Sequence, residues 1–279
     1  MAVNKYTDII VEIKGQIGII KLNRPKALNS FGGNLIPECV AAFRELNAHP
    51  DTVFTVLTGE GRFFSAGADV KAVASKKAPV YKNDAEKKLS FLMTGITMPA
   101  FELMRSIIDH KKVFVLALNG PAVGGGAAWF EGLSDICIAS DDCWLQVPFS
   151  ALGLVPEFGS AINWAQSVGI HRANEYLMFG RKIEAKEMKE WGMISEIFPK
   201  EGFHDRVVKY LEEQLAVNDG KSMMEVKRLQ NAPLRDARLI AVVNAVDALA
   251  ERFVEDAPKA RFEAKRRELE AKSKGVSKL

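Results

Sequence analysis

The chain has 279 residues, of which 48% are hydrophobic and 26% charged, and its 38 Lys+Arg against 35 Asp+Glu leave a net charge of +3. This is the profile of an ordinary globular protein with enough apolar material for one large core. Interspersed signs exclude the concentrated basic face of a nucleic-acid binder. Cys39, Cys137 and Cys143 lack the count and spacing of a disulfide framework and read as buried thiols in a reducing compartment. Four scattered histidines match no zinc pattern. The longest apolar stretch, 113–130, is interrupted by Asn119, Gly120, Pro121 and three glycines, so no membrane span is expected.

Residues 9–14 and 17–22 are rich in isoleucine with Gly15 between them, which predicts a β-hairpin entering a sheet. Residues 34–46 carry helical spacing through Leu35, Ile36, Cys39, Val40, Phe43 and Leu46. A short buried strand is predicted over 52–57, ending at Gly59. A glycine-containing loop over 59–69 and a lysine-rich surface stretch over 71–88 follow. Residues 89–109 predict a long helix that Pro99 breaks or kinks. Residues 113–118 predict a continuous apolar strand, succeeded at once by Gly120–Gly126 and a helix from about Ala127.

Further short strands are predicted at 135–139 and 144–147. From Ser160 onward the chain reads as helical except for a strand at 194–198. Leu239, Ile240, Val243, Val246, Ala248, Leu249 and Phe253 line a structural helical stripe. The charged run 259–274 predicts a solvated helix at the molecular edge. Strands alternating with helices imply an α/β fold. The expected organisation is a core over 1–198, a helical cap or oligomerisation region over 199–274, and a tail over 275–279. The N-terminus carries neither a signal core nor a transit helix. The chain ends Ser277-Lys278-Leu279, the tripeptide read by the peroxisomal import receptor, and residence in the peroxisome is expected.

Several catalytic patterns are missing. No phosphate-binding loop, dinucleotide fingerprint or Gly-x-Ser-x-Gly elbow is present. Two segments instead bare backbone N–H groups beside strand ends. One is Phe63-Phe64-Ser65-Ala66-Gly67-Ala68-Asp69-Val70-Lys71, whose small residues admit a ligand close to the main chain. The other is Gly124-Gly125-Gly126, where an apolar strand turns into a helix whose first N–H groups lack intrahelical partners. Two such donors converging would form an oxyanion hole.

Asn23-Arg24-Pro25-x-x-Leu28-Asn29, Phe64 to Lys71, Asn119-Gly120-x-Ala122-x-Gly124-Gly125-Gly126 and the following Asp135 together resemble the enoyl-CoA hydratase/isomerase (crotonase) superfamily. The match is collinear to about Phe198, and the stretch from Met178 to Ile194 resembles the family's helical segment after the core. The resemblance implies a spiral of repeated β-β-α units, acyl-CoA thioester substrates, and homotrimers or paired trimers. It implies no metal or separate cofactor, because CoA arrives as part of the substrate. Carried over, the oxyanion donors are the N–H groups of Ala68 and Gly125. Ala66, Gly67, Ala68, Asp69 and Val70 would hold CoA, with Lys26, Ala27 and Leu28 flanking its nucleotide. Asp69 reads as a turn or capping residue rather than a catalytic one.

The hydratases of that superfamily use two glutamates, and at the matching positions stand Ala128 and Phe149, neither of which exchanges a proton. Glu157, in Leu154-Val155-Pro156-Glu157-Phe158-Gly159, resembles the catalytic glutamate of peroxisomal-type Δ3,Δ2-enoyl-CoA isomerases. A single carboxylate suits a base that takes a proton from C2 and returns it to C4. Phe149, Leu154, Val155 and Phe158 are expected to desolvate it, against the opposing pull of the following helix N-terminus. Glu131, one turn beyond Ala128, reads as structural. The resemblance leaves open a dienoyl-CoA isomerase, a hydratase or thioester hydrolase, and a non-catalytic acyl-CoA-binding module.

Overall fold

A computed structural model describes residues 5–69, 79–93, 97–264 and 267. The isoleucine-rich hairpin forms as predicted: β1 (Ile9–Lys14) and β2 (Ile17–Leu22) are antiparallel around Gly15, whose φ is +55°. Parallel strands then extend the sheet through β3 (Phe54–Gly59), β4 (Val113–Leu118), β6 (Ile136–Ser140) and β9 (Glu196–Phe198), in the order β1-β2-β3-β4-β6-β9. A second layer joins β5 (Ala122–Val123), β7 (Trp144–Gln146) and β8 (Lys182–Glu184). Isolated bridges Ser65↔Ala122 and Phe31↔Ala68 continue that layer beyond β5. Successive turns of chain thus give one strand to the long sheet and one short segment to the second layer, the β-β-α spiral expected from the sequence resemblance.

Strand β4 reads as an unbroken apolar run because both its faces are covered. On β4, Phe114, Leu116 and Leu118 face the main core, while Val113, Val115 and Ala117 pack with Phe203, Val207, Val208 and Leu211. The latter four belong to helix α8 (Phe203–Val217). The main core collects Leu35, Ile36, Cys39, Val40, Phe43 and Leu46 from α1 (Leu35–Ala48), the helix predicted by spacing. All three cysteines are free and buried.

Some expectations are corrected. The predicted long helix is two helices, α2 (Asp84–Leu92) and α3 (Thr97–Ile108), so the interruption precedes Pro99. Pro99 lies in the first turn of α3, where a missing N–H costs no intrahelical bond. The glycine helix, α4 (Gly125–Ala128), begins at Gly125 and spans four residues. The last third contains two strands, because β8 pairs antiparallel with β7. It also contains α5 (Ser160–Val168), α6 (Ile170–Phe179), α7 (Ala185–Glu190), α9 (Gly220–Asn231) and α10 (Arg235–Val254). On α10 the buried residues are Val242, Leu249 and Ala250, whereas Ile240 and Val243 of the predicted stripe are exposed. A further helical stretch covers 257–264; Val70 and the tail 275–279 lie outside the described residues. No single helix among the described residues is long and apolar enough to cross a membrane.

Candidate active site

The segments singled out in the sequence converge where the second layer meets α4. Asn29, fully buried with φ +53°, pins the first of them. Its Nδ2 donates to the carbonyls of Glu60 (3.0 Å) and Phe63 (2.9 Å), and its Oδ1 accepts from Arg24 N–H at 2.8 Å. Asn119 does the same for the next turn, accepting from Gly59 N–H (2.9 Å) and donating to the Gly61 carbonyl (3.0 Å). Ala66 N–H donates to the Leu28 carbonyl at 2.9 Å, so the turn bearing Lys26, Ala27 and Leu28 lies against the Ala66–Asp69 segment. Lys26 is exposed beside it, and Asp69 lies 3.5 Å from the guanidinium of Arg24, an ion-pair role.

Gly67 is required where it stands. Its φ is +74°, and a Cβ there would lie 2.5 Å from the Val123 carbonyl oxygen and 3.1 Å from the Gly125 nitrogen. The Phe63–Asp69 segment and the glycine helix are therefore in direct main-chain contact. The bridge to Phe31 runs through Phe31 N–H, which donates to the Gly67 carbonyl at 2.7 Å. In that parallel pattern the N–H of Ala68 points away from Phe31. Gly125 opens α4, so its N–H has no acceptor within the helix. Neither N–H has a hydrogen-bond partner among the described residues.

Trp129 covers this corner. Its Cε2 and Nε1 lie 2.9 Å from the position a Gly125 Cβ would take, and Phe31 packs on the indole with centroids 4.5 Å apart. The same Nε1–H donates to Glu157 Oε2 at 2.9 Å. Glu157 sits on the loop between a 3-10 turn (Ser150–Leu152) and α5. Phe158, with φ +47°, folds back to meet Trp129 edge-to-face at 4.7 Å. Burial pushes the Glu157 carboxyl up to about 7, and the Trp129 N–H opposes this by stabilising the anion. Phe149 and Phe158 are buried; Leu154 and Val155 are half-buried.

Trp129 is the residue that sequence reasoning missed, since an indole near a helix start carries no mark of its own. At the hydratase positions, Ala128 and Phe149 are both buried and apolar. Glu131 is buried, with its carboxyl raised to about 7 by burial, and accepts from Ser167 Oγ at 2.5 Å. Asp135 is also structural: it accepts from Phe114 N–H at 2.7 Å and pairs with the buried Lys227 at 2.7 Å.

Comparison with known proteins adds the chemical frame. A family model described as enoyl-CoA hydratase/isomerase matches residues 12–266. A Δ(3,5)-Δ(2,4)-dienoyl-CoA isomerase from Pyricularia oryzae is 30% identical over 265 residues, covering 90% of this chain and 94% of the relative. A mouse protein named enoyl-CoA delta isomerase 3, peroxisomal, is 33% identical over 201 residues, covering 72% of this chain and 60% of its own. An enoyl-CoA hydratase/isomerase structure from Pseudoalteromonas atlantica superposes with a TM-score of 0.77 at 22% identity, covering 92% of this chain and 98% of that one.

Proposed function

Because the chain belongs to the enoyl-CoA hydratase/isomerase family, we propose that it is a Δ3,Δ2-enoyl-CoA isomerase with Glu157 as its single base. The observation that carries this reading is the link through Trp129: one indole lies over Gly125 and holds the Glu157 carboxylate. In the proposed reaction the thioester carbonyl oxygen accepts from the N–H groups of Ala68 and Gly125. Glu157 removes a proton from C2, the electron pair delocalises into the thioester as a dienolate, and the Glu157 acid returns the proton to C4. The double bond moves from C3–C4 to C2–C3 with no net gain or loss of atoms.

Backbone donors fixed in place stabilise charge developing on the oxygen, each worth on the order of 10²–10³ in rate. A carboxylate with its pKa near 7 is a stronger base than an ordinary glutamate yet remains substantially ionised at neutral pH. Ala128 and Phe149 supply no second acid to hold water, which favours proton return over hydration. CoA binding is assigned to Ala66, Gly67, Ala68 and Asp69, with Lys26, Ala27 and Leu28 beside the nucleotide. A trimer or a pair of trimers, and peroxisomal residence, belong to the same reading; the mouse relative's name supports the latter.

A dienoyl-CoA isomerase is the second reading, favoured by the Pyricularia relative and opposed by Phe149, where the resemblance implies a second acid. Spectroscopic assay of 3-enoyl, 2-enoyl and 3,5-dienoyl thioesters side by side decides between them. Turnover of the 3-enoyl substrate, abolished by Glu157→Gln with CoA binding retained, is the expected result. Wild-type activity in that variant removes Glu157 from the mechanism.

A further inference from the structure

The loop that carries Glu157 is held at both ends by the C-terminal helix. At its start, Gly153 has φ +71°, and a Cβ there would meet the main chain of Ala257 and Pro258 at 3.0–3.2 Å. At its end, Gly159 has φ +83°, and a Cβ there would meet Val242 Cγ2 at 3.3 Å and Val242 N at 3.4 Å. The loop thus lies against both Val242 of α10 and the chain just beyond that helix. Between the glycines, local bonds are sparse: Leu154 N–H donates to the Phe149 carbonyl (2.8 Å) and Ser160 N–H to the Glu157 carbonyl (2.9 Å).

One side chain from outside the loop reaches its main chain among the described residues. Arg252 Nε–H, on the last turn of α10, donates to the Gly153 carbonyl at 3.2 Å. A charged donor on a carbonyl is a stronger tie than a neutral one. The carbonyl it holds belongs to the left-handed residue from which the chain departs toward Glu157.

The helix is itself anchored on its other side. Lys88 of α2 pairs with Asp247 (2.7 Å) and Glu251 (2.5 Å). Lys87 binds the Val254 carbonyl (2.9 Å) and Asp256 (2.7 Å). Phe91 stacks on Phe253, the neighbour of Arg252, with centroids 4.6 Å apart. The last turn of α10 is therefore fixed to α2 while Arg252 reaches across to the base loop.

We propose that Arg252 is a positioning residue for the reaction: by holding the Gly153 carbonyl it fixes the start of the 153–159 loop and so the aim of the Glu157 carboxylate. Trp129 restrains the carboxylate from the glycine-helix side, and Arg252 restrains the backbone beneath it. The two act on different atoms of one short loop. This inference rests on Glu157 being the base. Misplacement of a reacting group by about 1 Å costs on the order of 100-fold, so the effect falls on kcat rather than on capture of the CoA thioester.

The test compares kcat and KM for a 3-enoyl-CoA thioester across Arg252→Met, Arg252→Lys, Glu255→Gln and Glu157→Gln, together with thermal melting. Arg252→Met is expected to lower kcat about 10–100-fold, with KM changed by less than about threefold. Arg252→Lys keeps a cationic donor and recovers most of kcat. Glu255→Gln removes the other partner of Arg252 and leaves kcat at the wild-type value. If Arg252→Met does not fold, Arg252→Gln, whose polar head falls short of the carbonyl, takes its place. Wild-type kcat in the Met or Gln variant overturns the proposal, as does a loss confined to KM. So does a lysine variant no better than the methionine one at equal melting temperature. An inactive Glu157→Gln beside an unimpaired Arg252→Met defeats this inference alone, whereas an active Glu157→Gln defeats the reading it rests on.

Discussion

Trp129 Nε1–H donates to Glu157 Oε2 at 2.9 Å while the same nitrogen lies 2.9 Å from where a Gly125 Cβ would stand. One ring therefore sets the distance between the proposed base and a proposed oxyanion donor. It also favours the ionised carboxylate, against a larger opposing effect of burial.

Trp129→Phe keeps the aromatic cover but removes the N–H that stabilises the anion. The Glu157 pKa then moves further up from about 7. Because the base must be ionised to accept a proton, the acid limb of kcat/KM shifts to higher pH. Activity falls more at pH 6 than at pH 9, and a pH–rate profile of wild type and variant checks this. Glu157→Gln loses roughly 10²–10⁴ in rate above pH 7, and the acid limb disappears with the carboxylate.

Gly67→Ala places a Cβ 2.5 Å from the Val123 carbonyl oxygen in a backbone with φ +74°. The strain is on the order of 1–3 kcal/mol, and relief requires the Ala68 and Gly125 segments to separate. Displacing one oxyanion donor lowers kcat by on the order of 10²–10³. Steady-state kinetics with a melting curve separate this loss from unfolding.

Glu131 makes stability fall as pH rises. Its folded pKa is raised from 4.5 to about 7 by burial, so the folded state binds the proton more tightly than the unfolded chain between those values. The penalty is absent below pH 4.5 and complete above pH 7, on the order of 3 kcal/mol. Glu131→Gln removes this dependence, so urea denaturation shows the variant gaining on wild type as pH rises through that window. Glu157 contributes in the same direction, and repeating the comparison in a Glu157→Gln background isolates Glu131.

The buried Lys227 ammonium pairs at 2.7 Å with Asp135, an exposed residue, and also donates to the Lys112 carbonyl at 2.8 Å. Lys227→Met removes the ion pair and leaves the Lys112 carbonyl without its donor, at a cost of about 1–3 kcal/mol. Chemical denaturation measures it, and a loss under 1 kcal/mol would show the pair to be dispensable.

The two long-sheet hairpin strands, helix α1 and the β4-to-glycine turn were legible because local patterns dictate them: isoleucine runs, helical spacing, and glycines where the main chain must come close. The α2/α3 division was not, since Pro99 is a breaker inside a helix but a good residue in its first turn, and sequence alone does not say which applies. β8 was missed because three residues carry too little pattern; its strand character comes from pairing with β7.

The residues themselves determined that two N–H-bearing segments exist, that the hydratase positions hold Ala128 and Phe149, and that Glu157 is the remaining carboxylate in a motif resembling an isomerase's. The first is a matter of spacing and the other two are what the resemblance to the superfamily implies, and no fold is needed to read them. Only the tertiary structure decided that Gly67 touches Gly125, that Trp129 binds Glu157, and that Arg252 reaches the loop bearing Glu157 from 99 residues away. Each is a contact between segments distant in sequence, made by packing the layers of the spiral and the last helix together, and local periodicity carries no information about such contacts.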